Sequence, residues 1–446
     1  MKFDVVLIGG GLSSLVCGVK LQKEGRKCLI VSAGQNALHF SSGAFGLLGK
    51  LPDGTEVSEP LSAIPSLPEA HPYSKIGAGK VSEYAALAPK FFADCGVELH
   101  SAASVVRQAH QPVASVAEPV EAPEASCLVR QTHQPVNGYR ITALGTLKPA
   151  WLAMKEVTLL ASKDEKIGDK ALIVNFSGFL DFNTRFIAEG LEKRGTQCRI
   201  ESVKLDAVET LRKNPAEMRS VNIARVMSRE ENWKQFARKV QEMLKGEDVV
   251  VLPEVFGYED PVVMQWIGEM IPAKVVFIGT TPPSVPGIRT QKALKKAFEA
   301  AGGTFLMGDE AVASEFDGDR VVSVRTANLG EIRIEADNFV LASGNLFGKG
   351  LVASPDKVCE PVFGLDVDYP AERKDWYDEN FFAKQNYTGF GVKTDAKFQA
   401  VKDNITLKNL YVVGSEVGGC NPLAEGSGAG VSIMTAFSVA DSILGR

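Results

Sequence analysis

The sequence predicts an α/β fold of the Rossmann-like kind, and three observations predict it. An apolar run at residues 3–8 meets Gly9-Gly10-Gly11, and Leu12, Leu15, Val16 and Val19 then recur at helical spacing. Short apolar runs alternate with helical patterns through most of the chain, which is how a parallel sheet with covering helices reads. Two further apolar runs near the C-terminus, at 338–342 and 409–413, each enter a glycine turn.

Taken in order, residues 3–8 form a strand, the helix from Leu12 stops at Gly25, and 27–31 form the second strand. Residues 52–80, rich in Pro, Ser and Gly, read as a long loop or cap. A helix at 82–93 and an extended piece at 96–99 follow. Residues 171–176 are a strand, and a helix at 182–193 is closed by Gly195. Strands are expected at 248–252 and 274–279, then a rigid loop at 281–287 and a helix at 290–301. The turn signals Gly302-Gly303 and Gly318 mark a short antiparallel stretch at 304–307, 321–326 and 331–334. The last helix runs from 429 to 444.

Residues 106–136 differ from the rest. Val106-Arg-Gln-Ala-His-Gln-Pro-Val113 recurs almost unchanged as Val129-Arg-Gln-Thr-His-Gln-Pro-Val136, around a segment with no periodicity and two prolines. Two copies are too few for a solenoid, and the composition reads as a solvated, disordered insertion. His110 and His133 are not taken as a metal pair, because no further ligand stands near them. The domain expectation is a discontinuous nucleotide-binding-type unit, 1–50 with 285–446, and a second α/β or cap unit over 51–284.

Composition narrows the function. The 446 residues are 45% hydrophobic and 23% charged, which suits two or three globular units. Forty-nine Lys and Arg against 54 Asp and Glu leave a net charge of -5, opposite in sign to a nucleic-acid footprint. The cysteines (Cys17, Cys28, Cys95, Cys127, Cys198, Cys359 and Cys420) are scattered, odd in number and without a C-x-x-C pair. They read as reduced thiols of a cytoplasmic protein rather than as a disulfide, zinc or iron–sulfur framework. No apolar run reaches the ~18 residues of a membrane span, and Asp4 with the glycines spoils the N-terminal run as a signal peptide.

The chemistry is expected at the glycine turns. Between strand and helix, Gly9, Gly10 and Gly11 let the backbone turn sharply and approach a phosphate, beside free helix N–H groups. Ser14 stands where the G-x-G-x-x-G pattern has its third glycine, and with Ser13 it is included in the binding set. Ser32 ends the second strand, where an acidic residue would hold an adenosine ribose. Gly344 follows the strand at 338–342. Gly414, Gly428 and Gly430 surround the entry to the last helix, whose positive end suits the pyrimidine edge of a flavin. These pieces in this order resemble the two-dinucleotide-binding-domain flavoproteins, an FAD/NAD(P)-binding-type fold.

A finer resemblance rests on His39-Phe-Ser-Ser-Gly43, Leu51-Pro-Asp-Gly54, His71-Pro-Tyr-Ser74, Leu144-Gly-Thr-Leu147, Val221-Asn-Ile-Ala-Arg225, Glu230-Glu-Asn-Trp233, Pro282-Pro-Ser-Val285, Gly287-Ile-Arg289 and Gly364-Leu-Asp-Val367. In these the chain resembles the B-subunit family of anaerobic glycerol-3-phosphate dehydrogenases, everywhere except about 100–138. The resemblance implies a flavin-containing partner of a catalytic A subunit, with an iron–sulfur C subunit that anchors both to the inner membrane. It implies oxidation of glycerol 3-phosphate to dihydroxyacetone phosphate, with electrons passing to quinone and on to fumarate or nitrate. FMN is the implied cofactor, with FAD as the alternative; Ser32 in place of an acid is compatible with FMN, which has no adenosine ribose. No metal is expected. The rival is a non-catalytic subunit whose flavin only relays electrons. A stand-alone NAD(P)-dependent reductase is weakened by the single N-terminal glycine fingerprint.

Three further residues have two readings each. His39 lies where a flavin ring would sit and is a candidate for proton transfer, or it is a structural histidine bonding a loop. Arg225 and Arg289 suit a clamp on a substrate phosphate, or form ion pairs. Cys420 lies in the C-terminal glycine region, without a second cysteine to make a redox pair.

Overall fold

Residues 1–102 and 135–446 are described by the structure, a computed structural model. Residues 106–134 of the repeat segment therefore lie outside the described residues. The chain opens with β1 (Lys2–Ile8), α1 (Leu12–Lys23) and β2 (Cys28–Ser32). Val5, Val6 and Leu7 are fully buried, as a central parallel strand covered on both faces requires. Helices α2 (Pro72–Ile76) and α3 (Ala78–Ala93) follow, so the expected 52–80 loop carries helical turns. A hairpin of β3 (Gly138–Ile141) and β4 (Leu147–Ala150) comes next.

A second α/β unit supplies β5 (Lys170–Phe176), β6 (Gln197–Val203), β7 (Val249–Pro253) and β8 (Lys274–Ile278). They form one parallel sheet in the order β6-β5-β7-β8. The polar β6 has no counterpart in the sequence expectation; as an edge strand it needs only partial burial, so its apolar signal is weak.

Helix α4 (Val285–Ala300) then returns the chain to the first sheet. It begins at Val285 rather than 290. The Ser284 side chain caps it by accepting from the Gly287 amide, and Pro286 fits the first turn, where a missing N–H costs nothing. The remaining elements are β9 (Thr304–Met307), β10 (Ala311–Asp317), β11 (Arg320–Thr326), β12 (Ile334–Leu341), β13 (Gln399–Lys402), β14 (Ile405–Val412) and α5 (Gly428–Leu444).

The first sheet runs β9-β2-β1-β12-β11-β10, with β14 also pairing β12 and β13 pairing β14. Two details correct the sequence expectation. Residues 304–307 are not antiparallel to their followers but lie parallel to β2, because the strand–helix–strand crossover through α4 delivers the chain in the same direction. Residues 331–334 and 338–342 are not separate strands. Residues 331–333 are not strand, and 334 joins 338–341 in the single strand β12, whose start pairs antiparallel with β11 and whose end pairs parallel with β14.

Two hydrophobic cores result. One fills the first sheet with α1, α4 and α5, and the other fills the second sheet. Helix α3 belongs to the first: Tyr84 and Phe91 pack on Phe437 of α5 at 5.6 and 5.2 Å between ring centres. The division into 1–50 with 285–446 and 51–284 is a proposal about folding units, to which this packing adds α2 and α3 on the first side. The β3–β4 hairpin touches both cores, through Ile141 on one side and Ala150 on the other.

Candidate functional site

The parallel strands β1, β2, β12 and β14 end at one edge of the first sheet, the usual place for a ligand in such a fold. Gly9 turns there with φ +112°, and a Cβ on it would sit 2.1 Å from the Ala342 carbonyl oxygen. A Cβ on Gly10 would sit 2.2 Å from Ser32 Oγ. These two glycines let β1 pack between its neighbours. Gly11 is different: nothing lies within 4 Å of a Cβ placed there. Its residue opens α1 without a side-chain cap, and the first intrahelical bond runs from the Leu15 amide to the Gly11 carbonyl. The amides of residues 12–14 therefore have no acceptor inside the helix.

Ser13 and Ser14 follow at once. Ser14 Oγ is buried with no hydrogen-bond partner among the described residues. Ser13 Oγ lies against Gly414, 2.5 Å from where its Cβ would be. Gly414 has φ +77° and donates its amide to Thr435 Oγ1 of α5 at 2.9 Å, so the first and last glycine turns are in contact. Gly344 has φ +97° and gives its amide to Glu416 Oε2 at 3.1 Å, while the Ser343 hydroxyl also donates to Glu416. Burial, together with nearby Glu360, pushes the Glu416 carboxyl up to about 8. Gly430 donates to the Gly46 carbonyl, and a Cβ on it would meet the Tyr73 hydroxyl at 2.3 Å. Its need for glycine thus comes from packing. Gly428 is half-buried at the first turn of α5.

An uncapped helix start, open space at Gly11 and an orphaned Ser14 hydroxyl fit a ligand phosphate. Ser32 faces inward: its Oγ accepts from the Gly34 amide at 3.3 Å and packs against Gly10. It offers nothing to an adenosine ribose.

The other expected residues sit at the junction of the two cores. His39 lies on a short 3₁₀ turn, Ala37–Phe40, with Nε2 2.6 Å from Gln291 Oε1 of α4. Arg289 approaches Glu156 at 3.3 Å and Glu254 at 3.6 Å, and donates to the Gly257 carbonyl. Arg225 stands 5.6 Å from the Tyr258 ring centre. Burial raises the Tyr258 hydroxyl, but hydrogen bonds from Arg225 and Lys292 outweigh it and leave the group below its ordinary value.

Besides Glu416, sequence reasoning missed the roles of two more buried acids, Glu254 and Glu425. Glu254 directly follows β7, and neither carboxyl oxygen has a hydrogen bond among the described residues; the 3.6 Å contact to Arg289 is too long for one. Burial, with Glu156 adding to it, pushes Glu254 up to about 8. Glu425 accepts from His71 Nε2 at 3.2 Å, from Ser427 Oγ and from the Asn421 amide. Burial raises this acid, yet those bonds prevail and hold it below the usual range. His71, Cys420 and Glu425 have possible ligand atoms within 4.8 Å of one another. Their arrangement is that of a hydrogen-bond network, not a metal set. His71 Nδ1 accepts from the Tyr73 amide, so Nε2 carries the proton, and burial keeps Cys420 a thiol. The only hint in the sequence was His71-Pro-Tyr-Ser74, whose histidine proves to cap α2.

The family described as FAD binding domain matches residues 4–431 of the chain. A protein of Yersinia enterocolitica, named as the B subunit of anaerobic glycerol-3-phosphate dehydrogenase, is 37% identical over 100% of this chain and 98% of its own. A protein of the same name from Pectobacterium carotovorum is 38% identical over 100% and 99%. One from Aliivibrio fischeri is 32% identical over 100% and 96%. Among solved structures, 3-ketosteroid delta1-dehydrogenase from Sterolibacterium denitrificans aligns over 100% of this chain and 99% of its own, with 10% identity and a TM-score of 0.43.

Proposed function

Because the chain belongs to the FAD-binding family and, within it, to the B subunits of anaerobic glycerol-3-phosphate dehydrogenase, we propose that it is the flavin subunit of a complex that oxidises glycerol 3-phosphate to dihydroxyacetone phosphate. The observation that carries this reading is the meeting of the Gly9–Gly11 turn with the Gly344 and Gly414 turns around the uncapped start of α1. A flavin supplies the two-electron acceptor for dehydrogenating a carbinol.

In this reading the backbone of Gly9, Gly10 and Gly11, the first amides of α1, and Ser13 and Ser14 hold the flavin phosphate. Ser32, Gly344, Gly414, Gly428 and Gly430 shape the walls around it. His39, close to the end of β2, takes the substrate's hydroxyl proton, with Gln291 orienting its ring. The guanidinium groups of Arg225 and Arg289 already have partners within the chain, so their role is to hold the loop after β7. FMN is proposed over FAD because β2 ends in Ser32 rather than an acid, and its hydroxyl is engaged with the Gly34 amide. Releasing the cofactor and weighing it should give FMN; FAD would overturn that choice.

The partners proposed are a catalytic A subunit, together with an iron–sulfur C subunit that attaches the complex to the inner membrane. The naming of the relatives as subunits supports a complex. No helix among the described residues is long and apolar enough to cross a membrane, so membrane attachment is assigned to a partner. The test is anaerobic mixing of glycerol 3-phosphate with the chain alone and with the co-expressed complex. Bleaching of the flavin in both, with quinone reduction only in the complex, is the expected result. Bleaching in the complex alone would favour the relay role, and none in either would sink the substrate.

A further inference from the structure

We propose that Arg140 and Lys148 form an anion subsite, between the two cores, for the phosphate group of a phosphorylated substrate. The inference rests on the substrate reading above and deepens it by naming the groups that recognise the phosphate. The two residues are direct cross-strand partners in the β3–β4 hairpin, so their side chains leave the same face of it. Lys148 is exposed and Arg140 half-buried, which sets one cation at the mouth and the other further in.

Neither forms an ion pair or a side-chain hydrogen bond among the described residues, although Glu254 acts on Arg140 from further off. The contrast with their neighbours is direct. Lys163 is paired with Glu56, Lys155 with Glu98, and Arg289 with Glu156. Desolvation disfavours the charge on both Arg140 and Lys148, Glu254 offsets part of this at Arg140, and Arg140 adds repulsion at Lys148. Two cations that repel each other in a partly dry place, and form no ion pair among the described residues, are left short of negative charge, which a dianionic phosphate would supply with charge-assisted hydrogen bonds.

The surroundings fit the chemistry. Arg140 lines a cavity the size of one water together with Ser42, Val157 and Gly279. Ser42 belongs to the segment that carries His39, and Gly279 directly follows β8, beside Glu254. A phosphate held at the mouth would direct the rest of a small substrate toward the His39 segment. Burial shifts Glu254 toward its protonated form, which lessens its repulsion of that phosphate.

The experiment uses the flavin-loaded chain in its complex and titrates inorganic phosphate, glycerol 3-phosphate and glycerol, following heat. Arg140→Gln is expected to weaken both phosphate-bearing ligands about tenfold or more, and Lys148→Gln severalfold, with flavin content unchanged and Arg140→Lys retaining part of the affinity. An Arg140→Gln/Lys148→Gln double variant that binds glycerol 3-phosphate as tightly as the parent, while its flavin is still bleached, overturns the subsite and leaves the substrate reading standing. Phosphate binding that the variants lose, in a parent whose flavin glycerol 3-phosphate never bleaches, upholds the subsite and removes that substrate. A parent that binds no phosphate overturns the proposal. Lys148 is exposed, so its variant remains readable if Arg140→Gln fails to fold.

Discussion

Glu254 keeps a carboxyl in the interior with no hydrogen bond on either oxygen among the described residues, between Arg289, Glu156 and Arg140. Its folded-state value of about 8 lies above its ordinary 4.5, so in that window the folded protein holds a proton that the unfolded chain has released. Stability from this group is complete below the ordinary value and is lost as pH rises toward the folded one. Glu416 behaves in the same way. Glu254→Gln should therefore reduce, without abolishing, the fall in thermal midpoint between about pH 5 and pH 8; an unchanged slope would contradict the assignment. Gly11→Glu tests the other pole of the site. Open space at Gly11 allows the side chain without disturbing the fold, while its charge repels a phosphate at the helix start. Flavin content should drop about tenfold or more with an unchanged far-ultraviolet spectrum, and full occupancy would remove this loop from the phosphate site. The glycines were legible because strand, turn and helix adjoin in sequence. Glu254, Glu416 and Arg140 were not, since their environments are assembled from segments far apart along the chain.

Elements were read best where burial is periodic and worst where pairing decides. Strands β1, β5, β7 and β8 announce themselves as unbroken apolar runs, whereas β9 and the start of β12 owe their direction to partners found only in the folded sheet. The start of α4 shows the same limit. Pro282-Pro-Ser-Val-Pro-Gly287 reads as a rigid loop, but the last three residues are already helical beneath the Ser284 cap. This first turn is also what seats the His39 segment, because a Cβ on Gly287 would fall 1.7 Å from the Leu38 carbonyl oxygen. Gly287→Ala must push the 37–41 segment off the helix, and overpacking of that kind costs about 1–3 kcal/mol. Urea unfolding should show the loss, and the 2.6 Å contact between His39 and Gln291 should lengthen in a structure of the variant. A variant as stable as the parent would mean that the segment yields freely, and that His39 is not held in place by α4.

At the scale of the molecule, two cores meet along α4 and the β3–β4 hairpin, and the roles proposed for His39, Arg140 and Lys148 draw on that junction. The sequence indicated two α/β units, yet it could not say that α3 joins the first core, because its aromatic partners lie on α5 near the far end of the chain. The repeat at 106–136 stands apart from both units in composition. Its described flanks come together: a Cβ on Gly138 would lie 2.6 Å from that of Ala102. A short glycine–serine linker can therefore join the two sides without moving either. Loop-closure entropy changes by only about 0.6 kcal/mol for each doubling of length, so shortening the connection should leave stability nearly as it was or raise it slightly. Asn137, just after the segment, should be kept, because its side chain donates to the Leu48 and Val57 carbonyls and ties the hairpin to the first core. A variant with residues 106–134 replaced by such a linker is expected to retain its flavin, its thermal midpoint within a few degrees and its assembly with partner subunits on co-expression. Loss of flavin or insoluble protein would show that the segment contributes to the fold. Loss of assembly alone would assign it to the contact with another subunit.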